Sequence, residues 1–265
     1  MREGQDVPKR RKEARPLLYL WSDSMLVKVG SVDAEVKVAA VMSTPRLGFT
    51  DNFFCVSSAL APYGIAPIKV TGAFWGQCLQ KAIEPVLDTH DVILTIDYDT
   101  VFNARTVEAL LTLLMWSGKD AIAPLQSKRE ANCVMFALDG SDVKERTSVD
   151  DSWFDEPVQQ VDTAHFGLTF IRTAAIKKMK KPWFVERADE NGTYDGDHQD
   201  ADIGFWRKFK QAGNTLGIAT NVSVGHAELM ITWPSRSSGT CKVQQHTNDY
   251  WQNRTAPAEA WGVVK

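Results

Sequence analysis

Two acidic residues lie two positions apart at the predicted end of a buried strand. Asp97 and Asp99 flank Tyr98 directly after the apolar run at 92–96. In open α/β sheets, ligands bind beyond the carboxyl ends of the strands, so both carboxylates are expected at the mouth of a crevice. Carboxylate oxygens coordinate hard divalent cations, which offset the charge of a diphosphate leaving group. The spacing therefore predicts a metal and phosphate site; the structural alternative is a helix cap at Asp97 or an Asx turn at Asp99.

The segments around this motif predict the elements that hold it in place. Residues 36–42 form an apolar run typical of a buried strand, and the breakers at 43–48 predict a loop after it. Further strands are predicted at 65–70, 91–97 and 121–124, and helices at 53–60, 75–87 and 104–116. This alternation predicts a Rossmann-like α/β fold, with a mostly parallel sheet flanked by helices.

The second half of the chain has a less regular pattern. Strands are predicted at 132–138 and 159–169, and short helices at 173–179 and 203–212. The Gly- and Asp-rich loop at 188–202 is long enough to suggest a function. We therefore expect a mixed α+β half after the parallel one.

The composition suits a globular protein without a uniformly basic surface. With 265 residues, 44% of them apolar, the chain can bury one large core. Its 30 Lys and Arg against 33 Asp and Glu exclude an overall positive field, so a polyanion such as DNA would have to contact a local patch, for example the basic, flexible tail at 1–16.

The sequence also predicts a cytoplasmic protein with reduced cysteines. No apolar stretch approaches the roughly 20 residues of a membrane-spanning helix, and no apolar region directly follows the basic N-terminus as in a secretory signal. The cysteines are widely spaced and form no CxxC pair, which argues against a zinc site or a disulfide framework. They are Cys55, Cys78, Cys133 and Cys241.

Taken with these residues, the chain resembles the GT-A glycosyltransferases, whose Asp-x-Asp motif follows a strand. The resemblance extends from about residue 36 to residue 226. The matching segments are the strand end at 43–45, the motif at 92–102, the segments at 165–172 and 200–206, and Val224-Gly225-His226. It implies a GT-A fold and transfer of a hexosyl or pentosyl group from a nucleoside-diphosphate sugar, assisted by Mn²⁺ or Mg²⁺.

The resemblance also implies roles for individual residues. The implied nucleotide-sugar ligands are Thr44, Pro45, Arg46, Trp75, Gln77, Asp97, Tyr98 and Asp99. The implied metal ligands are Asp97, Asp99 and His226, and the implied acceptor-side residues are His165, Phe166, Gly167 and Trp153. His90, His198 and His246 receive no role.

The general base of the family is usually an aspartate that opens a helix within an acidic pair. Asp202, followed by 203–205, is the nearest match, and Asp200 is the other candidate because Ala201 replaces the acidic neighbour. The structural alternative for Asp202 is an N-cap of the helix predicted at 203–212. Which aspartate acts, and whether the reaction inverts the anomeric centre, stays open.

The resemblance divides the chain into a tail at 1–16, a GT-A domain at 17–231 and a C-terminal arm at 232–265. Within the domain, the nucleotide-sugar half covers about 36–126 and the acceptor half about 127–231. The acceptor is a saccharide, a lipid-linked precursor, a protein or a modified base in DNA. The alternatives are a nucleotidyltransferase, although the loop at 43–48 lacks the repeated glycines of that class, and a noncatalytic nucleotide-sugar-binding module.

Overall fold

A computed structural model describes residues 23–29, 31–129, 136–137, 151–194, 198–235 and 242–260. The strands are β1 (Ser24–Val29), β2 (Val32–Thr44), β3 (Ile68–Thr71), β4 (Val92–Asp97), β5 (Thr100–Val101), β6 (Ala121–Leu125), β7 (Phe136–Ala137), β8 (Val158–Val161), β9 (Thr163–Ala164), β10 (Leu168–Arg172), β11 (Leu216–Ser223), β12 (Gly225–His226), β13 (Met230–Pro234) and β14 (Lys242–His246). The helices are α1 (Thr50–Leu60), α2 (Trp75–Ile83), α3 (Ala104–Ser117), α4 (Thr173–Lys177), α5 (Ala201–Gln211) and α6 (Thr247–Asn253). Short 3₁₀ helices lie at Ala61–Tyr63, Glu84–Val86 and Asp151–Phe154.

A large central sheet has the strand order β1-β2-β4-β10-β6-β11-β8, and β3 also pairs with β2. The strands β2, β3 and β4 are parallel, as predicted for the first half of the chain. Between β4 and β6 lies β10, which is antiparallel to both, whereas β11 is parallel to β6. The predicted α/β class is confirmed, and the second half contributes the antiparallel members of a mixed sheet.

Helices cover both faces of this sheet because its central strands are apolar on both sides. In β2, Ala39 and Val41 pack into one core with α2, α4 and α5. Their neighbours Val38 and Ala40 pack into a second core with α1 and α3. Successive side chains of a strand point to opposite faces, so a strand between two helical layers needs a continuous apolar run.

Several element limits differ from the predictions for local chemical reasons. The helix predicted at 75–87 ends at Ile83, because Pro85 lacks an amide hydrogen and the chain continues as a 3₁₀ turn. The strand predicted at 159–169 is divided into β8, β9 and the start of β10. The hairpin between β1 and β2 and the hairpin between β13 and β14 were not predicted.

The helix α3 is capped by Asn103 and not by Asp97, which excludes the first structural alternative for the acidic motif. The Asn103 side chain accepts a hydrogen bond from the Thr106 amide at 3.1 Å, and the Thr106 hydroxyl accepts one from the Asn103 amide at 3.4 Å. Asp97 is therefore free of a capping role and belongs to the end of β4.

Several predicted features lie wholly or partly outside the described residues. The tail at 1–16, Cys133 and Cys241 lie outside the described residues, and of the strand predicted at 132–138 only β7 is described. Cys55 and Cys78 are free thiols, as predicted. The limits of the predicted GT-A domain and C-terminal arm stay predictions. None of the described helices combines the length and apolarity needed to cross a membrane.

Candidate active site

Asp97 is fixed at the end of β4 by both its backbone and its side chain. Its amide donates to the Gly167 carbonyl at 3.1 Å, and its carbonyl accepts from the Asn52 side-chain amide at 3.0 Å. Its Oδ1 accepts a hydrogen bond from the Trp75 indole at 3.1 Å. Burial raises the pKa of Asp97 to about 6; the Trp75 bond opposes this rise, and the nearby carboxylates of Asp99 and Asp202 add to it.

The buried carboxylate of Asp99 contacts an arginine and a histidine. Its side chain is 4% exposed, and its Oδ2 lies 3.3 Å from an Arg129 guanidinium nitrogen and 3.4 Å from His226 Nε2. The pairing of β12 with β5 places His226 opposite Thr100, directly after the acidic motif. Asp99 is thus an ion-pair partner rather than the side chain of an Asx turn.

His226 is oriented by hydrogen bonds at both ring nitrogens. Nδ1 lies 2.9 Å from the Ser127 carbonyl, and Nε2 faces Asp99. Burial lowers the pKa of His226, but the bonds to Asp99 and to the Ser127 carbonyl outweigh it, so the pKa is raised overall. The predicted third metal ligand therefore lies beside Asp99.

Asp97, Asp99 and His226 have the side-chain chemistry of ligands for a divalent cation, but their positions do not form a coordination site in this structure. In the part of the chain that the structure describes, no group of three or more His, Cys, Asp and Glu side chains is placed to hold a metal ion. Two carboxylates and an imidazole are nevertheless suitable ligands for Mg²⁺ or Mn²⁺. Arg129 contacts Oδ2 of Asp99, one of the two oxygens that this carboxylate could offer to a cation.

A cavity of about 500 Å³ opens beside Tyr98 and the loop after β2. Its lining includes Thr44, Pro45 and Arg46, the three loop residues predicted to bind the nucleotide sugar. The other lining residues are Met42, Gly48, Phe49, Thr50, Asn52, Phe53, Val56, Ser57, Pro67, Lys69 and Tyr98. We call it the Tyr98 cavity. Four predicted donor ligands thus surround one space, and Lys69 is an additional cation that the sequence did not indicate.

A second cavity, of about 350 Å³, shares the Phe49 and Tyr98 rings with the first. The two rings are stacked, with centroids 6.2 Å apart. Arg129 and the segment after β12 also line this space, through Glu228 and Leu229. The chain after His226 therefore reaches the acidic motif.

Trp75 and Gln77 do not line the Tyr98 cavity, and their predicted role as nucleotide-sugar ligands stays a prediction. Trp75 contacts the rings of Phe166 and Phe184 edge to face, at centroid distances of 5.3 and 5.4 Å, while its indole holds Asp97. Gln77 lines a separate cavity of about 220 Å³ next to Ala201. Both residues lie on the side of α2 that approaches the start of α5.

Asp202 and Asp200 occupy different positions at the start of α5. Asp200 stands at the N-cap but its side chain caps no amide; it is 68% exposed and lies 3.0 Å from His198 Nε2. Asp202 lies in the first turn, where its Oδ1 accepts from the Ile203 amide at 2.8 Å. The N-cap alternative for Asp202 is therefore wrong, since α5 begins at Ala201.

The environment of Asp202 disfavours its charged form. Burial raises the pKa of Asp202 to about 6; the Ile203 amide opposes this rise, and the carboxylates of Asp200 and Glu186 add to it. The charges of Asp202 and Asp97 also act on each other. Asp202 therefore lies close enough to Asp97 for each charge to disfavour the other.

His165, Phe166 and Gly167 lie beneath the site and not on its surface. His165 is 2% exposed; its Nδ1 accepts from the Gly167 amide at 3.0 Å, so Nε2 donates to the Pro124 carbonyl at 2.8 Å. Burial lowers the pKa of His165 to about 4, and the ring is neutral at physiological pH. The prediction that these residues face the acceptor is corrected to a supporting role below Asp97.

Tight packing explains that role. A Cβ on Gly167 would lie 2.6 Å from Gln126 Oε1 and 2.7 Å from Thr100 Oγ1, so only glycine fits. Phe166 is 2% exposed and stacks on Trp206 with ring centroids 4.9 Å apart. For Trp153, only the backbone position in the 3₁₀ helix Asp151–Phe154 is described, so its acceptor-side role stays a prediction.

Two residues that organise the motif, Asn52 and Arg129, had no predicted role. The Asn52 side chain donates to the carbonyls of Asp97 and Thr100, at 3.0 and 2.7 Å. A polar residue on the buried face of α1, in line with Val56 and Ala59, is a signal that could have identified it. Arg129 follows β6 in an exposed loop and gives no such signal.

Comparison with known proteins identifies the fold. No protein-family model and no curated protein matches the chain. The crystal structure of GalNAc-T7 with UDP, GalNAc and Mn²⁺ is similar with a TM-score of 0.51 at 11% identity, over 72% of this chain and 44% of that one. A197 from STIV gives a TM-score of 0.48 at 15% identity, over 71% of this chain and 85% of that one. The likeness to GalNAc-T7 shows the fold alone, and the chain has the GT-A glycosyltransferase fold.

Proposed function

We propose that the protein is a divalent-cation-dependent glycosyltransferase that moves a hexosyl or pentosyl group from a nucleoside-diphosphate sugar to an acceptor hydroxyl. The main support is the contact of His226 with Asp99 beside Asp97 at the end of β4, with Asp202 close enough to act electrostatically on Asp97. The UDP, GalNAc and Mn²⁺ bound to GalNAc-T7, which has the same fold, support the choice of donor and cation.

The Tyr98 cavity is the proposed donor site. Its volume of about 500 Å³ lies within the range of about 300–1,000 Å³ for small-molecule sites. Arg46 and Lys69 give its lining positive charge, which suits a diphosphate, and Phe53 and Val56 give it apolar surface for a nucleobase. Asn52, which lines this cavity, also donates hydrogen bonds to the carbonyls of Asp97 and Thr100 and so connects the cavity to the acidic motif.

Asp97, Asp99 and His226 would hold the cation, and a bound Mn²⁺ or Mg²⁺ offsets the negative charge of the departing diphosphate. Asp202 accepts the proton of the acceptor hydroxyl while the bond from that oxygen to sugar C1 forms. The bond from C1 to the phosphate oxygen breaks, and the diphosphate leaves with the electron pair. With a pKa of about 6, Asp202 is mostly ionised at neutral pH and is ready to accept this proton.

The proposal predicts that nucleoside diphosphates bind only weakly without a divalent cation. We expect titration calorimetry with UDP, GDP, ADP and CDP to find one diphosphate whose affinity rises at least about tenfold when Mn²⁺ replaces a chelator, since two carboxylates alone repel a diphosphate. Equal affinity in both buffers would refute the cation model.

Two activity assays distinguish the alternative functions. Slow, Mn²⁺-dependent hydrolysis of the matching nucleotide sugar would exclude a noncatalytic module. Release of pyrophosphate from a nucleoside triphosphate and a sugar 1-phosphate would indicate a nucleotidyltransferase instead.

A second prediction concerns competition between Arg129 and the cation. Arg129→Met removes a half-exposed partner of Asp99 and should increase affinity for Mn²⁺ alone by about two- to fivefold, the range expected for loss of an exposed ion pair. Lys128→Met is the matched control, because it removes the same charge from the exposed neighbouring position. Electron paramagnetic resonance of free Mn²⁺ measures both variants. Unchanged or weaker binding by Arg129→Met would show that Arg129 does not compete.

A further inference from the structure

The cavity that contains Gln77 lies next to the proposed base. It measures about 220 Å³ and is lined by Phe74, Gly76, Gln77, Phe184, Glu186 and Ala201. We call it the Phe74 cavity. Ala201 directly precedes Asp202, and the carboxylate of Glu186 acts on Asp202 electrostatically. A molecule bound here therefore lies beside the group that is proposed to accept the acceptor proton.

The lining combines an exposed aromatic ring with uncharged and anionic hydrogen-bonding groups. Phe74 is 59% exposed, although it directly precedes a helix whose apolar residues Cys78, Leu79 and Ile83 are buried. Phe184 forms the closed side, and Gly76 brings the α2 backbone against it, since a Cβ there would lie 2.6 Å from Phe184 Cβ. Gln77 and Glu186 are exposed at the rim.

This set of groups suits a sugar ring. The face of an aromatic ring packs against the C–H face of a pyranose, and amide and carboxylate groups pair with its hydroxyls. The volume of about 220 Å³ is below the range of about 300–1,000 Å³ for drug-sized ligands, which favours a single ring.

The charge of the sequence segment that supplies Glu186 and Ala201 to the lining opposes an anionic acceptor. From residue 186 to residue 202 the sequence contains seven acidic residues and one arginine, Arg187; the acidic ones are Glu186, Asp189, Glu190, Asp195, Asp197, Asp200 and Asp202. A nucleic acid, a sugar phosphate or a lipid phosphate would be repelled by Glu186 in the lining and by Asp202, which follows the lining residue Ala201. Of the acceptors that the sequence left open, DNA is disfavoured here.

We propose that the Phe74 cavity binds one ring of a neutral saccharide acceptor and directs a hydroxyl of that ring to Asp202. This assignment depends on the proposed function, because it requires a donor in the Tyr98 cavity. Phe74 is then a specificity residue for the acceptor, and Glu186 excludes acceptors that carry phosphate.

The test uses saturation-transfer difference NMR on the full chain with Mn²⁺ and the best nucleoside diphosphate. The neutral probes are the methyl glycosides of glucose, galactose, mannose and N-acetylglucosamine; the anionic probes are glucose 1-phosphate and a thymidine octanucleotide. We expect signals from at least one neutral glycoside and none from the anionic probes. Phe74→Ala should weaken that glycoside about 3- to 10-fold, the value of one aromatic contact.

Phe54→Ala is the matched control, because Phe54 is also a phenylalanine, is 64% exposed and does not line the cavity. Both positions are exposed, so both variants should keep the melting temperature of the wild type. In transfer assays, Phe74→Ala should raise the acceptor KM with little change in donor affinity. Glu186→Lys should allow glucose 1-phosphate to bind.

The outcomes separate the acceptor assignment from the proposed function. If a nucleoside diphosphate binds with Mn²⁺ but no neutral glycoside gives a signal that depends on Phe74, the acceptor assignment is wrong and the proposed function stands. Preference of the wild type for the octanucleotide or the sugar phosphate would also overturn the assignment. If no nucleoside diphosphate binds at all, the proposed function fails and the assignment fails with it.

Discussion

Asp202→Asn is expected to lower the rate of sugar transfer by about 10²- to 10⁴-fold, the usual contribution of a positioned general base. Donor binding should change little, because the Tyr98 cavity does not include Asp202. Asparagine has nearly the same shape and can still accept the Ile203 amide hydrogen bond. The loss should therefore appear in kcat and not in the affinity for nucleoside diphosphate, as measured by steady-state transfer and calorimetry.

Asp200→Asn is the matched control for this variant. The Asp200 carboxylate is 68% exposed and contacts His198, so it is less desolvated than Asp202. Asp200→Asn should therefore lower the transfer rate less than Asp202→Asn does. Neither variant should unfold the start of α5, because the Asp200 side chain caps no amide and asparagine at 202 can still accept the Ile203 amide hydrogen bond. Normal transfer by folded Asp202→Asn with loss in Asp200→Asn would assign the base to Asp200. Normal transfer by both variants would indicate a retaining mechanism or another base.

The pKa of Asp202 adds a pH dependence to the same prediction. A base must be deprotonated to act, so the transfer rate should fall as the pH is lowered through about 6. The Asp202→Asn variant should lack this decrease, because its residual rate does not depend on a carboxylate at this position. A wild-type rate that is constant from pH 5 to pH 8 would contradict the role of Asp202.

The parallel half of the fold and the acidic motif could be predicted because they depend on local patterns. β2 and β4 lie between two helical layers, and a strand in that position has to be apolar on both faces. Where such a strand ends is visible in the sequence, so Asp97 and Asp99 could be placed at the edge of the sheet. The resemblance to a known family then supplied His226, whose position beside Asp99 depends on the pairing of β5 with β12.

Roles that depend on long-range packing could not be predicted in the same way. The turn containing His165 and Gly167 has no periodicity that shows which side is covered, and it is buried because β10 runs between β4 and β6. The helical pattern places Trp75 at the start of an amphipathic helix, but it does not indicate which cavity the side chain faces. The contact of Arg129 with Asp99 joins two loops that are far apart in sequence, so no local signal predicts it.

Asp97→Asn and Asp99→Asn are expected to impair the same function while changing stability in opposite directions. Each variant removes one proposed cation ligand. Loss of a residue that only supports a metal ligand lowers affinity by about 10- to 100-fold, so Mn²⁺-dependent donor affinity should fall by at least that factor. A loss of binding in both variants could otherwise be attributed to unfolding. Their stabilities without Mn²⁺ distinguish the two explanations.

Asp97→Asn should raise the melting temperature at pH 7.5. The pKa of Asp97 is raised from 3.8 to about 6 by burial, so the folded state binds its proton more tightly than the unfolded state does. The stability associated with this proton is complete below about pH 4 and is lost as the pH rises through 6, at a cost of up to about 3 kcal/mol. Asparagine avoids this cost and still accepts the Trp75 hydrogen bond, so the gain should disappear as the pH is lowered toward 4.

Asp99→Asn should instead lower the melting temperature, because Arg129 and His226 lose the carboxylate that both contact. We expect a loss of about 1–3 kcal/mol, since Arg129 is half-exposed and can be rehydrated while His226 is largely covered. Thermal unfolding at pH 7.5, in one buffer with chelator and in another with Mn²⁺, measures the stability of both variants.

If Asp97→Asn is more stable than the wild type and yet binds no donor, the wild-type protein keeps a carboxylate that destabilises the fold because this carboxylate binds the cation. Destabilisation by Asp97→Asn would show that the Asp97 charge is already compensated in the folded protein, and the argument for a cation at this position would fail.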